Sequence, residues 1–261
     1  MKNNYHTHTR RCNHADGSDE AYVLNAIQGG FSELGFSDHS PWPKHPFESQ
    51  SIRMSPDELE EYVDSLKALQ KRYGQQIKIL VGMECEYYPD RLEYLRWMIK
   101  TYDLDYVILG NHFHIYELRT RYYAQYVDRE HLYIDYEHDT IEALNTGLYD
   151  CFAHPDLFLK TNPEFNEKAE AMTRRILLES KRLNIPIEFN LGGIRNSIDK
   201  AKYPSVAFWQ VVAEIGNEVI IGVDAHSPSD LSDLECYKEG EAFLKKLNIP
   251  IIERFKMRKE K

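Results

Sequence analysis

Ligand-type side chains follow six of the seven short apolar runs in this sequence. They are histidines and carboxylates, and they stand at His6, His8, Asp38, His39, Glu84, His112, His154, Asp224 and His226. Imidazole and carboxylate together suit zinc, iron or manganese, whereas an all-oxygen set favours magnesium or calcium. A lone histidine is usually a hydrogen-bonded core or surface residue, but a set this regular has no such explanation. The pattern predicts a centre that holds two or three divalent transition-metal ions.

The apolar runs themselves predict the strands that would carry these side chains. They cover residues 5–8, 33–37, 77–84, 106–109, 151–153, 187–190 and 219–223. The sixth run ends in an amide, Asn190, instead of a histidine or carboxylate. Side chains at positions i and i+2 of a strand point the same way, so His6 can converge with His8, and Asp224 with His226.

Longer stretches with helical periodicity separate the strands. The clearest runs from Leu59 to Tyr73 and follows Ser55 and Glu58, which are spaced to form a capping box. Alternating strands and helices give a parallel sheet, and seven such units favour a closed barrel. We therefore expect a distorted (β/α)7 TIM-like barrel that forms one domain over residues 1–261. Active sites of such barrels lie at the carboxyl ends of the strands, where the ligand-type residues stand.

The composition of the chain indicates which kinds of binding partner to expect. The net charge is −10, with 28% charged residues, which disfavours a nucleic-acid polymer and favours a small-molecule substrate. No apolar run approaches the ~20 residues that span a bilayer, and the Met1-Lys2-Asn3-Asn4 start lacks the apolar stretch of a signal peptide. We expect a cytoplasmic protein without a membrane partner. The four cysteines form no paired motif and are expected to be reduced thiols.

The motifs that contain these residues resemble those of the polymerase and histidinol phosphatase (PHP) superfamily, and within it the histidinol-phosphate phosphatases. The resemblance covers nearly the whole chain and is carried by His6-Thr7-His8-Thr9, Cys12-Asn13-His14-Ala15-Asp16-Gly17, Phe36-Ser37-Asp38-His39-Ser40-Pro41, Ile52-Arg53-Met54-Ser55, Gly82-Met83-Glu84, Asp105-Tyr106-Val107-Ile108, Ala153-His154-Pro155-Asp156-Leu157, Asn190-Leu191-Gly192-Gly193-Ile194-Arg195 and Asp224-Ala225-His226. It implies a distorted barrel of the PHP type with a trinuclear metal centre.

Motif matching implies a ligand set for each metal. The first metal would take His6, His8, Glu84 and Asp224, the second would share Glu84 with His112 and His154, and the third would take Asp16, His39 and His226. Two choices stay open. His14 lies in the same loop as Asp16, and His114 competes with His112 because the fourth motif reads Gly110-Asn111-His112-Phe113-His114 where the family has Gly-Ser-Val-His.

The resemblance also implies an activity. It is the hydrolysis of L-histidinol phosphate to L-histidinol and phosphate, a step of histidine biosynthesis, by a metal-activated hydroxide with Asp224 or His226 assisting proton transfer. Arg195 matches the family's Gly-Leu-Arg and would bind the phosphate, with further substrate contacts expected from Lys160, Arg53, His45 and His114. The alternatives are a PHP-fold phosphoesterase for another small phosphomonoester or a nucleotide, and a non-catalytic metal-binding module.

Overall fold

Seven parallel strands form the centre of the fold and neighbour one another in sequence order. The computed structural model describes residues 2–43, 52–114, 122–126, 128–161, 164–196 and 203–257. The strands are β1 (Lys2–Asn4), β2 (Phe31–Phe36), β3 (Lys78–Cys85), β4 (Tyr106–Leu109), β5 (Cys151–Phe152), β6 (Ile187–Asn190) and β7 (Val219–Gly222). The predicted parallel barrel is confirmed.

Helices connect the strands and cover the outside of the barrel. They are α1 (Asp19–Gln28), α2 (Leu59–Tyr73), α3 (Leu92–Tyr102), α4 (Arg129–Asn145), α5 (Glu167–Arg182), α6 (Leu191–Asn196), α7 (Val206–Ile215) and α8 (Leu234–Lys246). Short polar side chains begin several of them: Ser18, Asn166 and Ser205 accept hydrogen bonds from backbone N–H groups of α1, α5 and α7. Such caps satisfy N–H groups that have no partner inside the helix.

The helix predicted from Leu59 to Tyr73 has those bounds in the structure. The predicted capping box before it is also present, because Glu58 Oε2 accepts a hydrogen bond from Ser55 N at 2.8 Å. The buried face of α2 carries the residues of the periodic pattern, Leu59, Tyr62, Val63, Leu66, Leu69 and Tyr73. The helix thus covers the barrel with the apolar face that its sequence predicts.

Two apolar cores lie on opposite sides of the sheet. Outward-facing strand residues such as Val81, Val107 and Phe189 pack with the helices. Inward-facing residues fill the barrel, and they include Leu80 and Tyr106. This alternation follows from the two-residue period of a strand, so one strand carries both an outer apolar face and an inner face that reaches the site.

The barrel closes between β1 and β7 through the residues that follow these strands. Thr7 pairs with Ala225, and His8 N donates to Ala225 O at 2.9 Å. At the other end of β7, the C-terminal segment takes over the pairing, since Ile252 N donates to Val219 O at 2.8 Å. Phe255 of this segment is 3% exposed and packs inside the barrel. The seam between the first and last strands is therefore formed near the carboxyl end.

The first strand differs from its prediction. It was expected over residues 5–8, whereas β1 ends at Asn4 and the following residues leave the regular ladder. The register between β1 and β2 shifts between Lys2 and Asn3, and Thr7 pairs only as an isolated bridge. His6 and His8 thus project from the segment after the strand. In the described parts of the chain, no helix is long and apolar enough to cross a membrane.

Candidate metal centre

The carboxyl ends of the strands bring the predicted ligands together at one mouth of the barrel. Glu84 is on the inward face of β3 and 1% exposed, and Asp224 comes two residues after β7. Two of these residues have strained backbones: φ is +31° at His154 and +52° at Asp224. Non-glycine residues in this region carry an energetic cost and cluster at functional sites. The strain therefore coincides with the residues expected to bind metal.

The first predicted subsite forms a compact group of four atoms. His6 Nε2 lies 3.1 Å from His8 Nε2, 3.5 Å from Glu84 Oε2 and 3.5 Å from Asp224 Oδ1. His8 Nε2 lies 3.2 Å from Asp224 Oδ1 and 3.7 Å from Glu84 Oε2. Ligands about 2.1 Å from a tetrahedral cation are separated by roughly 3.4 Å from one another. The spacing of these atoms therefore fits a bound zinc-like ion.

The second predicted subsite uses the other oxygen of the same carboxylate. Glu84 Oε1 lies 2.8 Å from His154 Nε2 and 3.3 Å from His112 Nε2. Since Glu84 Oε2 faces the first subsite, this residue is placed to bridge two ions. His114 takes a different position, with Nδ1 2.9 Å from Asp139 Oδ2. This geometry favours His112 over His114 as the ligand.

The third predicted subsite is less buried and differs from the expectation. His14 Nε2 lies 2.9 Å from His226 Nε2, and His14 is exposed. The described contacts of Asp16 involve its backbone, whose N–H donates to His226 O and whose carbonyl accepts from Tyr22. His39 Nδ1 turns towards Glu84 Oε2 at 3.0 Å. The structure therefore brings His14 to His226, whereas the described contacts of Asp16, in the same loop as His14, are made by its backbone.

Carboxylates behind the ligands orient two of the imidazoles, and a third carboxylate lies near His8. Glu188 Oε1 lies 2.8 Å from His6 Nδ1, and Glu86 Oε1 lies 3.1 Å from His112 Nδ1. Asp38 Oδ1 lies 3.5 Å from His8 Nδ1. A carboxylate on one ring nitrogen directs the lone pair of the other nitrogen to the metal.

Neither Glu188 nor Glu86 was predicted as a site residue, although both were detectable. Glu188 lies on the inward face of β6, two positions before Asn190, and Glu86 follows β3, two positions after Glu84. Cys12, expected to be an inert buried thiol, also borders the centre. Its sulfur lies within 4.8 Å of ligand atoms of His14 and His226.

Unsatisfied polar atoms and perturbed pKa values mark the same cluster. Glu84 Oε2 and His39 Nδ1 are buried without a hydrogen bond in the described residues, despite their short separation. Burial opposes protonation of His6, but Glu188, Asp224 and Glu84 raise its pKa to about 10. Burial likewise opposes protonation of His112, but Glu84 and Glu86 raise its pKa to about 9. The carboxylates thus create a field that attracts cations, and bound metal would satisfy the orphaned atoms.

A cavity of about 430 Å³ opens in front of the cluster, and its size suits a small ligand. Its lining includes predicted ligands and Lys160. It also includes residues that were not predicted, Ile52, Phe113, Tyr122, Leu157, Asn190, Gly192, Gly193, Asn196 and Tyr203. The aromatic members come from loops whose course the sequence pattern does not determine.

The remaining predicted substrate contacts lie elsewhere. Arg195 Nη2 donates to the carbonyl oxygens of Val223 at 2.6 Å and Asp224 at 2.8 Å, behind the end of β7. Arg53 is 2% exposed and pairs with Glu86 at 3.0 Å. Both guanidinium groups contact ligand-bearing segments, and neither residue belongs to the described lining of the cavity; their expected contacts with substrate stay predictions. His45 lies outside the described residues.

Sequence comparison finds one family and several relatives that match this chain. Residues 4–192 match the PHP domain family. A probable histidinol-phosphatase of Deinococcus radiodurans is 28% identical over 234 residues, which make up 87% of this chain and 86% of the relative. The histidinol-phosphatase of Bacillus subtilis is 30% identical over 152 residues, or 55% of this chain and 52% of the relative.

Solved structures show the same barrel. The histidinol phosphate phosphatase of Lactococcus lactis subsp. lactis, complexed with zinc, L-histidinol and phosphate, aligns with a TM-score of 0.76 at 18% identity and covers 98% of each chain. A likeness at this level of identity establishes the fold. Since the family match extends over most of the chain, this protein belongs to the PHP domain family.

Proposed function

We propose that this protein is a histidinol-phosphatase, a metal-dependent phosphoric monoester hydrolase that converts L-histidinol phosphate and water to L-histidinol and phosphate. The observation that carries the proposal is the convergence of His6 and His8 on Glu84 and Asp224 at the mouth of the barrel, with each imidazole Nε2 within 3.7 Å of both carboxylates. The proposed substrate is taken from the names of the relatives, which are histidinol-phosphatases. The cavity has room for a small phosphate ester.

The chain would hold two or three divalent ions, zinc, iron or manganese. The first would be bound by the four residues named above, and the second by Glu84, His112 and His154. The third would be bound by His226 and His39 with His14 or Asp16, and the 2.9 Å approach of His14 to His226 favours His14. Ions in these places would lower the pKa of water and neutralise the phosphoryl oxygens, which is the chemistry that this slow hydrolysis requires.

Protein groups would orient the substrate and move the proton. Asp224 and His226 line the cavity, with His226 Nδ1 3.4 Å from Asp224 Oδ1, so either can assist proton transfer in an in-line attack. Lys160, an exposed residue of the cavity lining, would contribute positive charge to the phosphate. Arg195 would act from behind by holding the carbonyl of Asp224.

The test is a panel of phosphate esters assayed after loading with manganese or zinc. The panel includes histidinol phosphate, a chromogenic phosphomonoester, other small phosphomonoesters and a nucleotide. We expect histidinol phosphate to have the highest kcat/KM. Preference for another ester by orders of magnitude would support the alternative of a related PHP phosphoesterase, and bound metal without any hydrolysis would support a non-catalytic module.

Histidine substitutions provide a matched control for this assay. His154→Ala removes a predicted ligand 2.8 Å from Glu84 and should abolish activity with loss of bound metal. His138→Ala removes a histidine that is 65% exposed and contacts Asp139, and it should leave both unchanged. Equal effects of the two substitutions would contradict the proposed centre.

A further inference from the structure

Glu188 is a buried carboxylate inside the barrel that no step proposed so far uses directly. It lies on the inward face of β6, two residues before Asn190, and is 3% exposed. Charged residues are seldom buried to this extent unless they are paired or hydrogen-bonded. Its contacts therefore decide what it does.

Both oxygens of Glu188 accept hydrogen bonds from the metal centre. Oε1 lies 2.8 Å from His6 Nδ1, and Oε2 accepts from His154 N at 3.1 Å and from Asn190 Nδ2 at 2.9 Å. The amide of Asn190 also reaches Asp224 Oδ2 at 3.2 Å. One carboxylate thus contacts His6 of the first subsite and His154 of the second, and it reaches Asp224 through a single intervening residue.

The barrel provides space for this carboxylate at a specific position. A Cβ atom at Gly222 of β7 would lie 1.7 Å from Glu188 Oε1, so any larger residue there would displace the side chain. The absence of a side chain at position 222 therefore permits the contact between Glu188 and His6.

The three contacts require a group that only accepts hydrogen bonds. A glutamine could place its oxygen towards His6, but its NH₂ would then face the N–H of His154 and the amide of Asn190, which are both donors. In the reverse orientation, the NH₂ would donate to His6 Nδ1 and force the ring proton onto Nε2, the atom that faces Glu84 and Asp224. Only a carboxylate satisfies all three groups and leaves Nε2 free.

We propose that Glu188 is a positioning residue that couples the first and second metal subsites. Through Oε1, Glu188 holds His6 in the tautomer whose Nε2 can bind a cation. Through Oε2, it accepts a hydrogen bond from the backbone N–H of His154 and so holds this strained residue in place. This proposal rests on the proposed metal-dependent function of the site, but it does not depend on which phosphate ester is the substrate.

The test is Glu188→Gln, followed by calorimetric titration of the metal-free protein with zinc and manganese. We expect two binding steps to weaken by about 10- to 100-fold, because loss of an outer carboxylate typically has this effect. Glu86→Gln serves as the comparison, since the described contacts of Glu86 reach the centre only at His112 of the second subsite, so one step should weaken. Glu179→Gln, which removes a surface carboxylate paired with Arg182, should weaken none.

A second variant separates charge from position. Gly222→Ala keeps the carboxylate but forces it away from His6, and we expect the same two steps to weaken. If Glu188→Gln does not fold, this variant decides the question. Wild-type metal binding in either folded variant, or weakening of a single step, would overturn the proposal. If wild-type protein did not hydrolyse histidinol phosphate while both variants lost metal, the proposed substrate would fail and this inference would stand.

Discussion

The two ends of the barrel interior are built on the same strands, but they satisfy their polar groups in opposite ways. At the amino end, the hydroxyl of Tyr106 lies 2.8 Å from Tyr5 O and 3.0 Å from Phe36 O, and the ring packs against Phe255. At the carboxyl end, buried atoms of Glu84 and His39 have no hydrogen bond in the described residues. One end is filled mainly by apolar packing, and the other holds buried polar atoms that a bound cation would satisfy.

A single strand shows how this difference arises. The inward residues of β3 and of the segment that follows it are, in order, Leu80, Gly82, Glu84 and Glu86. The inner face therefore changes from apolar to acidic along a single strand. Gly82 leaves room for the ring of Tyr106, whose Cζ would lie 2.5 Å from an added Cβ. The amino end stabilises the barrel, and the unsatisfied carboxyl end is available for function.

The largest expected effect comes from a matched pair of glutamate substitutions at the two ends. Glu84→Gln should lower kcat by about a thousandfold and reduce bound metal, because several kcal/mol of metal-ion stabilisation depend on the bridging carboxylate. Glu33→Gln, at the amino end, removes the carboxylate that accepts from Tyr5 Oη at 2.6 Å and should leave kcat within about twofold. Steady-state kinetics and metal analysis measure both. Similar losses for the two variants would remove the functional distinction between the ends.

A smaller effect is expected behind the carboxyl end, at Arg195. Replacing it with alanine removes charged hydrogen bonds to the carbonyls of Val223 and Asp224, each contributing about 1.5–3 kcal/mol. Because the carbonyl of Asp224 would lose its support, we expect kcat to fall by about 10- to 100-fold with KM nearly constant. A rise in KM alone would instead restore Arg195 to direct phosphate binding.

Lys160 should show the converse pattern at the rim of the cavity. Lys160→Ala should raise KM by about tenfold with little change in kcat or in the melting temperature, since the residue is an exposed member of the cavity lining and would bind the phosphate equally in the ground state and the transition state. Lys160→Arg, which keeps the charge, is the control and should remain close to wild type. A fall in kcat at constant KM would argue that the residue acts in the transition state.

The smallest effect on activity is expected at the amino end. Tyr106→Phe leaves the buried carbonyls of Tyr5 and Phe36 without their donor and should cost about 1–3 kcal/mol of unfolding free energy. The described hydrogen bonds of the hydroxyl reach no candidate metal ligand, so kcat/KM should stay within about twofold. Urea unfolding and kinetics on the same sample measure the two quantities. Loss of activity at unchanged stability would show that the two ends are coupled.

Sequence patterns predicted the barrel and the clustering of most candidate ligands at its mouth because both depend on the two-residue period of strands. Glu84, His154 and Asp224 all stand where a strand ends, so their convergence follows from topology. The first strand was misplaced by several residues because Tyr5 to His8 keep an apolar and polar alternation after the regular ladder has ended. Pairing with Ala225 of the closing seam, a tertiary contact, replaces the ladder there.

The directions in which individual side chains point could be predicted less well from the sequence. Arg195 follows β6 closely, which suggested a position at the cavity, but α6 begins directly after the strand and turns the guanidinium towards β7. The choice between Asp16 and His14 depends on the course of one loop, which local sequence does not determine. Glu188 was overlooked because its neighbours Ile187 and Phe189 made the run look like an ordinary buried strand.

The seam between the first and last strands also has a consequence for the timing of assembly. Asn4 Oδ1 accepts from Val223 N across 219 positions of sequence, and the ligands next to these residues meet at the same place. Ribosomes add about 5–20 residues per second, so His6 and His8 would wait roughly 10–40 s for Asp224 and His226. The residues of the candidate centre therefore meet only late in synthesis, so the proposed centre would bind its metals only after most of the chain has been made.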